Sequence, residues 1–232
     1  MSLAGKAAVV IWNDVDTEAR SDFVAWHNRE HIPERLGIPG FRRARRGCAV
    51  AVGPEFLTLY EVTNSGFLSG NNYLARLNSP SAWTQRILPK FRNTARSLCR
   101  VKISVGCGIG GFVCTVRFAD ELRRDQKDLR LFEIFTIDLL GGSAELLGAH
   151  LLVQDIHSSR QEIAEQKLRT EAPATPGTVL ILEGTAEDAV AAAAAELSGE
   201  LRRRELSLGG DAMSGIYRLE LCLTAEDCDA GH

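Results

Sequence analysis

The apolar positions of the chain fall into short runs separated by polar, glycine-bearing or proline-bearing turns, and the runs follow one order twice. Residues 6–12 (Lys-Ala-Ala-Val-Val-Ile-Trp) form an apolar run of strand length. Asp14 and Asp16 are helix-capping types, and Glu18 and Asp22 suit the positive end of a helix, which predicts a helix over 17–32. Gly37, Pro39 and Gly40 break the chain after it. Strands are expected over 41–52 and 56–62 around a Gly53-Pro54 turn, then a helical region over 66–97 interrupted at Pro80, then a strand over 98–105. The first half therefore reads β-α-β-β-α-β.

The second half repeats that order with different residues. A strand is expected over 112–118, a helix over 119–131, apolar segments over 131–140 and 146–153, and a strand over 178–182. Thr185 opens an alanine-rich helix over 186–206, and the last strand covers 216–223. Residues 154–176 read as a helix and loop inserted beyond the pattern. Two split βαβ units, each with an uncovered sheet face, bury those faces on each other. The expected fold is thus α+β, with a first half over 1–107 and a divergent second half over 108–232.

Composition leaves this picture intact: 232 residues, 45% hydrophobic and 25% charged, belong to an ordinary globular protein. Neither a signal peptide nor a bilayer-spanning run stands out, so the expected location is the cytoplasm, with no membrane partner. The six cysteines show no C-x-x-C pair and no zinc-finger spacing, which predicts reduced and mostly buried thiols. Charge adds an asymmetry. Residues 1–119 carry 16 Lys and Arg against 8 Asp and Glu, whereas residues 120–232 carry 11 against 22. Opposite balances suit two surfaces that dock on each other, or two solvated faces of different sign. The basic half lacks a nucleic-acid motif, so no nucleic-acid partner is expected.

Two motifs suggest chemistry. Gly106, Gly108 and Gly111 match G-x-G-x-x-G, but the alternating β-branched residues after them predict a strand where a dinucleotide loop needs a helix. They read as a junction between halves. His27-x-x-Glu30-His31 matches H-x-x-E-H, in which histidines four apart on a helix can share a metal. The pattern lacks a downstream carboxylate ligand, since none occurs between Val62 and Ala119, and no metal is assigned.

Counting about 100° per residue, the core stripe that starts with Ala19, Phe23 and Trp26 continues through His27, Glu30 and Glu34. Polar groups on a face that packs on a sheet must be paired, wet or chemically active. A His27–Glu30 hydrogen bond or a solvent-facing helix end satisfies the first two. The third makes His27, Glu30 and His31 candidate acid–base residues at the mouth of a helix–sheet pocket. Trp12, Asn13, Tyr60, Tyr73 and Trp83 are candidates for lining it. Arg42, Arg43, Arg45 and Arg46 alternate on one strand, so one pair faces inward or to a rim, and Arg45 is the candidate for a ligand contact. An edge strand protected by charge explains the same arginines.

The segment Trp26-His27-Asn28-Arg29-Glu30-His31-Ile32-Pro33-Glu34-Arg35-Leu36, followed by Ile38-Pro39-Gly40-Phe41 and by Leu57-Thr58-Leu59-Tyr60-Glu61, resembles the dimeric α/β-barrel superfamily, particularly its EthD-like members. The likeness covers about residues 6–105, while residues 110–225 share only the element order and lack the His/Glu helix. It implies two tandem ferredoxin-like βαββαβ repeats packed as an intramolecular dimeric α/β barrel, the second standing in for a partner subunit. It also implies a substrate class, a small organic molecule that is aromatic or enolisable, acted on without a cofactor by a monooxygenase, isomerase or cyclase-like reaction. The alternative is a non-catalytic module that binds a ligand or haem. A monomer or a homodimer is expected.

Overall fold

The computed structural model describes residues 3–50, 53–120, 126–159, 163–203 and 212–229. In chain order the elements are β1 (Ala7–Val15), α1 (Arg20–Trp26), a wide helical turn (His27–His31), α2 (Ile32–Leu36), β2 (Phe41–Ala49) and β3 (Phe56–Val62). Then come α3 (Asn71–Leu77), α4 (Ala82–Ile87), β4 (Phe91–Gly106), β5 (Phe112–Phe118), α5 (Gln126–Gly141) and β6 (Leu146–Gln154). The short α6 (Ile156–Ser159) and α7 (Ala164–Lys167) precede β7 (Thr178–Gly184), α8 (Glu187–Arg203), β8 (Met213–Thr224) and α9 (Ala225–Asp229).

The eight strands close into one antiparallel barrel, ordered β1-β3-β2-β8-β5-β7-β6-β4. Within it the first four strands keep the order β4-β1-β3-β2, and the last four the matching order β8-β5-β7-β6. Two seams join the sets: β2 against β8, with Arg45 opposite Cys222, and β4 against β6, with Val101 opposite Leu152. This is the α+β, ferredoxin-like dimeric α/β-barrel architecture, closed within one chain. The 106–111 glycines form the link between the sets. Gly106 takes φ +102° and a Cβ there would lie 2.1 Å from the Leu147 carbonyl oxygen, so the link requires glycine for its backbone. A strand follows it, which removes the dinucleotide geometry.

Strand alternation assigns each side chain to one of two cores. Ala8, Val10, Trp12, Leu57, Leu59, Val179, Ile181 and Tyr217 point into the barrel and fill it. Val9, Tyr60, Val62 and Leu98 point outward under Ile32, Leu36 and Leu77. Val116, Phe118, Leu180 and Leu182 do the same on the other set, under Phe132, Val190, Leu197 and Leu201.

One end of the barrel interior is ionic. Arg45 makes two hydrogen bonds to Glu183 (2.6 and 3.0 Å) and approaches Glu61 at 2.9 Å, while Arg43 pairs with the other side of Glu61. His150 bridges Glu183 (3.1 Å) and Ser104 (3.0 Å). Burial alone would raise Glu183, yet His150 and Arg45 pull it down to about 2. The charge asymmetry of the sequence is spent here and on the flanks, because Arg35–Glu165, Arg45–Glu183 and Arg46–Glu220 all join a first-half arginine to a second-half glutamate.

Several local expectations need correcting. The first helix runs to Leu36, past Pro33. Asp14 and Asp16 do not cap it: Asp14 accepts from the Glu55 backbone N–H, and Asp16 from Arg92. The region 66–97 holds two short helices and already becomes strand at Phe91, because β4 must span both β1 and β6. The helix expected over 119–131 lies over Gln126–Gly141, absorbing the next apolar segment; residues 121–125 lie outside the described residues. None of the six thiols is in a disulfide, and only Cys99 and Cys114 are buried. No helix among the described residues is long and apolar enough to cross a membrane.

Removing one member of a buried ion pair strands the other, at a typical cost of about 3–5 kcal/mol. Glu183→Gln, which leaves Arg45 without its bidentate carboxylate, is therefore expected to lower the unfolding free energy by about that much in a urea titration. A loss below about 1 kcal/mol would show that the ionic cluster does not hold the seam.

Candidate active site

Between the first helical layer and the outer face of β1 and β3 lies a narrow cavity of about 30 Å³. It is room for one or two water molecules. Val9, Ile11 and Asn13 of β1 and Thr58 and Tyr60 of β3 form its floor, because odd positions of β1 and even positions of β3 face the helices. Phe23 and Trp26 form one wall of the layer, with Trp26 anchored by its Nε1 donating to Thr84 Oγ1 at 3.1 Å.

The wide turn places two imidazoles on this cavity. The Ile32 backbone N–H donates to the His27 carbonyl, five residues back, so the turn from His27 to His31 carries one residue more than an α-turn. Pro33 follows at once; a proline removes a helical hydrogen bond and crowds the carbonyl four residues earlier, which a wider turn relieves. The extra residue shifts the phase of the helix by about one position. His31 thereby lands on the core face beside His27, and Glu30 rotates away. The two imidazoles lie stacked with centroids 5.7 Å apart, His27 also on Phe23 (5.0 Å) and His31 on Trp26 (4.2 Å). Both are over nine-tenths buried.

Their surroundings fix their charge. Burial, then Arg46 and Arg35, hold His27 well below the usual imidazole value; burial, then Arg35, His27 and Arg169, do the same to His31. Both rings are neutral at pH 7. Arg46 Nη1 lies 3.4 Å from His27 Nδ1, so that nitrogen accepts and the ring proton belongs on Nε2. His31 Nδ1 is buried without a hydrogen-bond partner, 3.9 Å from Glu34.

Across the cavity stand three guanidinium groups against one carboxylate: Arg35, Arg96 and Arg169 against Glu165. Arg35 pairs with Glu165, and Arg96 donates to the Tyr73 hydroxyl at 2.8 Å. Arg169 lies 4.9 Å over the Phe91 ring; burial and neighbouring Arg96 bring it down to about 10, still a cation at neutral pH. The Tyr60 hydroxyl is buried with no hydrogen-bond partner, and burial pushes its pKa upward, so it stays protonated. Neutral bases on one wall and unneutralised cations on the other make a site that accepts a proton and favours a negative charge.

Of the residues expected from sequence, His27, His31, Asn13, Tyr60 and Tyr73 line this cavity. Glu30 does not: it accepts a hydrogen bond from Ser81 Oγ and makes none to His27. Trp12 points into the barrel, donating to Thr115 Oγ1 at 3.0 Å. Arg45 lies in the ionic cluster of the barrel interior, and Trp83 sits on the outer side of the helical layer, donating to Asp22. Arg35, Arg96, Arg169 and Glu165 were missed. Glu165 and Arg169 come from the 154–176 segment, where spacing of four was the available signal, and Arg96 lay in a stretch assigned to helix. Among the described residues no group of three or more His, Cys, Asp or Glu converges as metal ligands.

With this geometry in view, no family model and no curated protein matches the chain by sequence. Solved structures do match along its length. An anthrone oxidase-like protein superposes with TM-score 0.63 at 10% identity, covering 97% of this chain and 96% of its own. A proposed monooxygenase from Lactobacillus acidophilus NCFM gives 0.53 at 9%, covering 94% and 96%. A proposed chlorite dismutase, TA0507, gives 0.50 at 11%, covering 97% of each. The chain has the dimeric α/β-barrel fold.

The neutral histidines set an acid limit on stability. Their folded values lie below the unfolded value of about 6.5, so below that pH the unfolded chain binds protons that the folded one refuses. Stability is expected to be complete above about pH 7 and to fall as the pH drops towards 5, by up to about 2 kcal/mol per histidine. Thermal melts of the wild type and of His31→Gln test this: the variant should lose less stability than the wild type between pH 7 and 5, and parallel curves would refute it.

Proposed function

We propose that this cavity is the active site of a small-molecule enzyme that removes a proton from carbon without a cofactor, of the monooxygenase, isomerase or cyclase-like kind found on this fold. The observation that carries the reading is the pairing of two buried neutral imidazoles, 5.7 Å apart, with an excess of cations and a free Tyr60 hydroxyl on the same cavity. His27 or His31 takes the proton; Arg96, Arg169 and Tyr60 stabilise the oxyanion of the resulting enolate. Asn13 and Tyr73 shape the space around the substrate, and Glu165 holds Arg35. The aromatic wall of Phe23 and Trp26 favours a flat, enolisable substrate. A ligand larger than the present cavity enters by displacing wall side chains. The second strand set, whose own outer face is packed with apolar side chains, serves as the partner subunit.

The reaction has a direct readout, exchange of the acidic C–H of an enolisable aromatic ketone for deuterium in D₂O, followed by proton NMR. The wild type should accelerate it, and His27→Ala and His31→Ala should each lower the rate by about 10²-fold or more. Because the bases are already deprotonated at neutral pH, the rate should stay level from pH 8 to below 6.5 and fall only in more acidic buffer. Acceleration that both alanine variants retain would refute the assignment.

A further inference from the structure

The barrel has a second opening, at the end opposite the Arg45–Glu183 cluster. It is a cavity of about 700 Å³ rimmed by the end of β1, the Gly53-Pro54 turn, the start of β4, Ala174 and the start of β8. That volume is within the usual range for small-molecule sites, about 300–1,000 Å³. Arg117 of β5 lines it.

Arg117 is only 6% exposed, yet among the described residues its side chain makes no hydrogen bond and no ion pair; its Nε is buried without a partner. Its one contact of note is the face of Trp12, 4.9 Å from the guanidinium, which closes the barrel beneath it. The other buried arginines of the barrel, Arg45 and Arg46, each hold a glutamate. A buried cation left without a counter-ion carries a desolvation cost that a bound anion removes. Burial accordingly draws Arg117 below its ordinary value, with no carboxylate acting to raise it.

A second polar group lies behind the Gly53 rim. The Tyr217 hydroxyl is buried beside Thr115, and the glycines next to it keep its surroundings clear. A Cβ at Gly215 would stand 2.6 Å from that oxygen, and one at Gly53, on the rim, 3.3 Å. The acidic residues of the rim do not fill the role of counter-ion: Asp14 is held by the Glu55 backbone N–H and the Asn93 amide, and Glu171 is exposed. Pro54, Ala95, Ala174 and Met213 give the walls an apolar lining.

We propose that this barrel mouth is a second ligand site, separate from the histidine cavity, that takes a small organic acid with its carboxylate on Arg117 and its apolar body against the rim. The planar fork of an arginine matches a carboxylate bidentately, and the aromatic face beneath fixes the plane of the fork.

Calorimetric titration of the full chain with benzoate, benzamide and inorganic phosphate tests it. Benzoate should bind at least about tenfold more tightly than neutral benzamide or than phosphate, which lacks the apolar body. Arg117→Met should weaken benzoate by at least about tenfold with the melting temperature unchanged or raised, whereas Arg96→Met, in the histidine cavity, should leave it intact. Equal binding of benzoate and benzamide, or loss in Arg96→Met with retention in Arg117→Met, overturns the proposal. If the Met variant does not fold, Arg117→Lys decides: it keeps the charge but not the fork, and unchanged benzoate binding there overturns the proposal equally.

Discussion

Everything in this molecule depends on two four-stranded sheets that share one interior. Each sheet has one face covered by its own helices and one that cannot meet water, and the two bare faces close on each other through the β2–β8 and β4–β6 seams. Trp12, Tyr217 and the aliphatic residues around them fill the middle, which hydrophobic burial alone would hold in many registers. The Arg45–Glu183 pair, with Glu61 and His150, selects one register, because a one-residue slip on either strand would turn a buried charge to the other face and leave its partner stranded.

Closure of the barrel leaves its cavities on the outside and at the ends. With the helices confined to the outer faces, a cavity forms wherever a helical layer fails to seal against its strands. On the second set the layer packs on its strands through Phe132, Val190, Leu197 and Leu201. On the first, the wide turn at His27–His31 replaces apolar side chains with two imidazoles, and a gap remains. The cations around that gap reach it from three separate places: Arg35 from the same helix, Arg96 from β4, and Arg169 from the segment after α7.

The same closure explains why arginines on one barrel do different work. Arg45 faces inward at an end where Glu183 of the second half and Glu61 of the first meet it, and it is structural. Arg117 faces inward at the other end, where Asp14 and Glu171 stand on the rim but neither pairs with it. The sign of the side chain is common to both; what differs is which strand lies opposite.

Much of this was legible in the sequence, and for a local reason. Alternation and turn residues are properties of neighbouring positions, so the β-α-β-β-α-β order, its repetition, the junction at Gly106–Gly111 and the prominence of His27 and His31 could all be read from the chain alone. The unequal charge of the halves suited docking and two solvated faces alike, and the ion pairs that cross between the halves favour the first. Tertiary structure decided the rest. Glu30 left the core face because a hydrogen bond spanning five residues shifted the helix phase, and a fixed count per residue carries no trace of that. Trp12 and Arg45 went to the barrel interior because side-chain direction depends on which face of a strand is enclosed, and closure sets that face only when distant strands pair. Arg96, Arg169 and Glu165 joined the histidines from positions far along the chain. Spacing in sequence determines which side chains share a face, but only packing determines what that face meets.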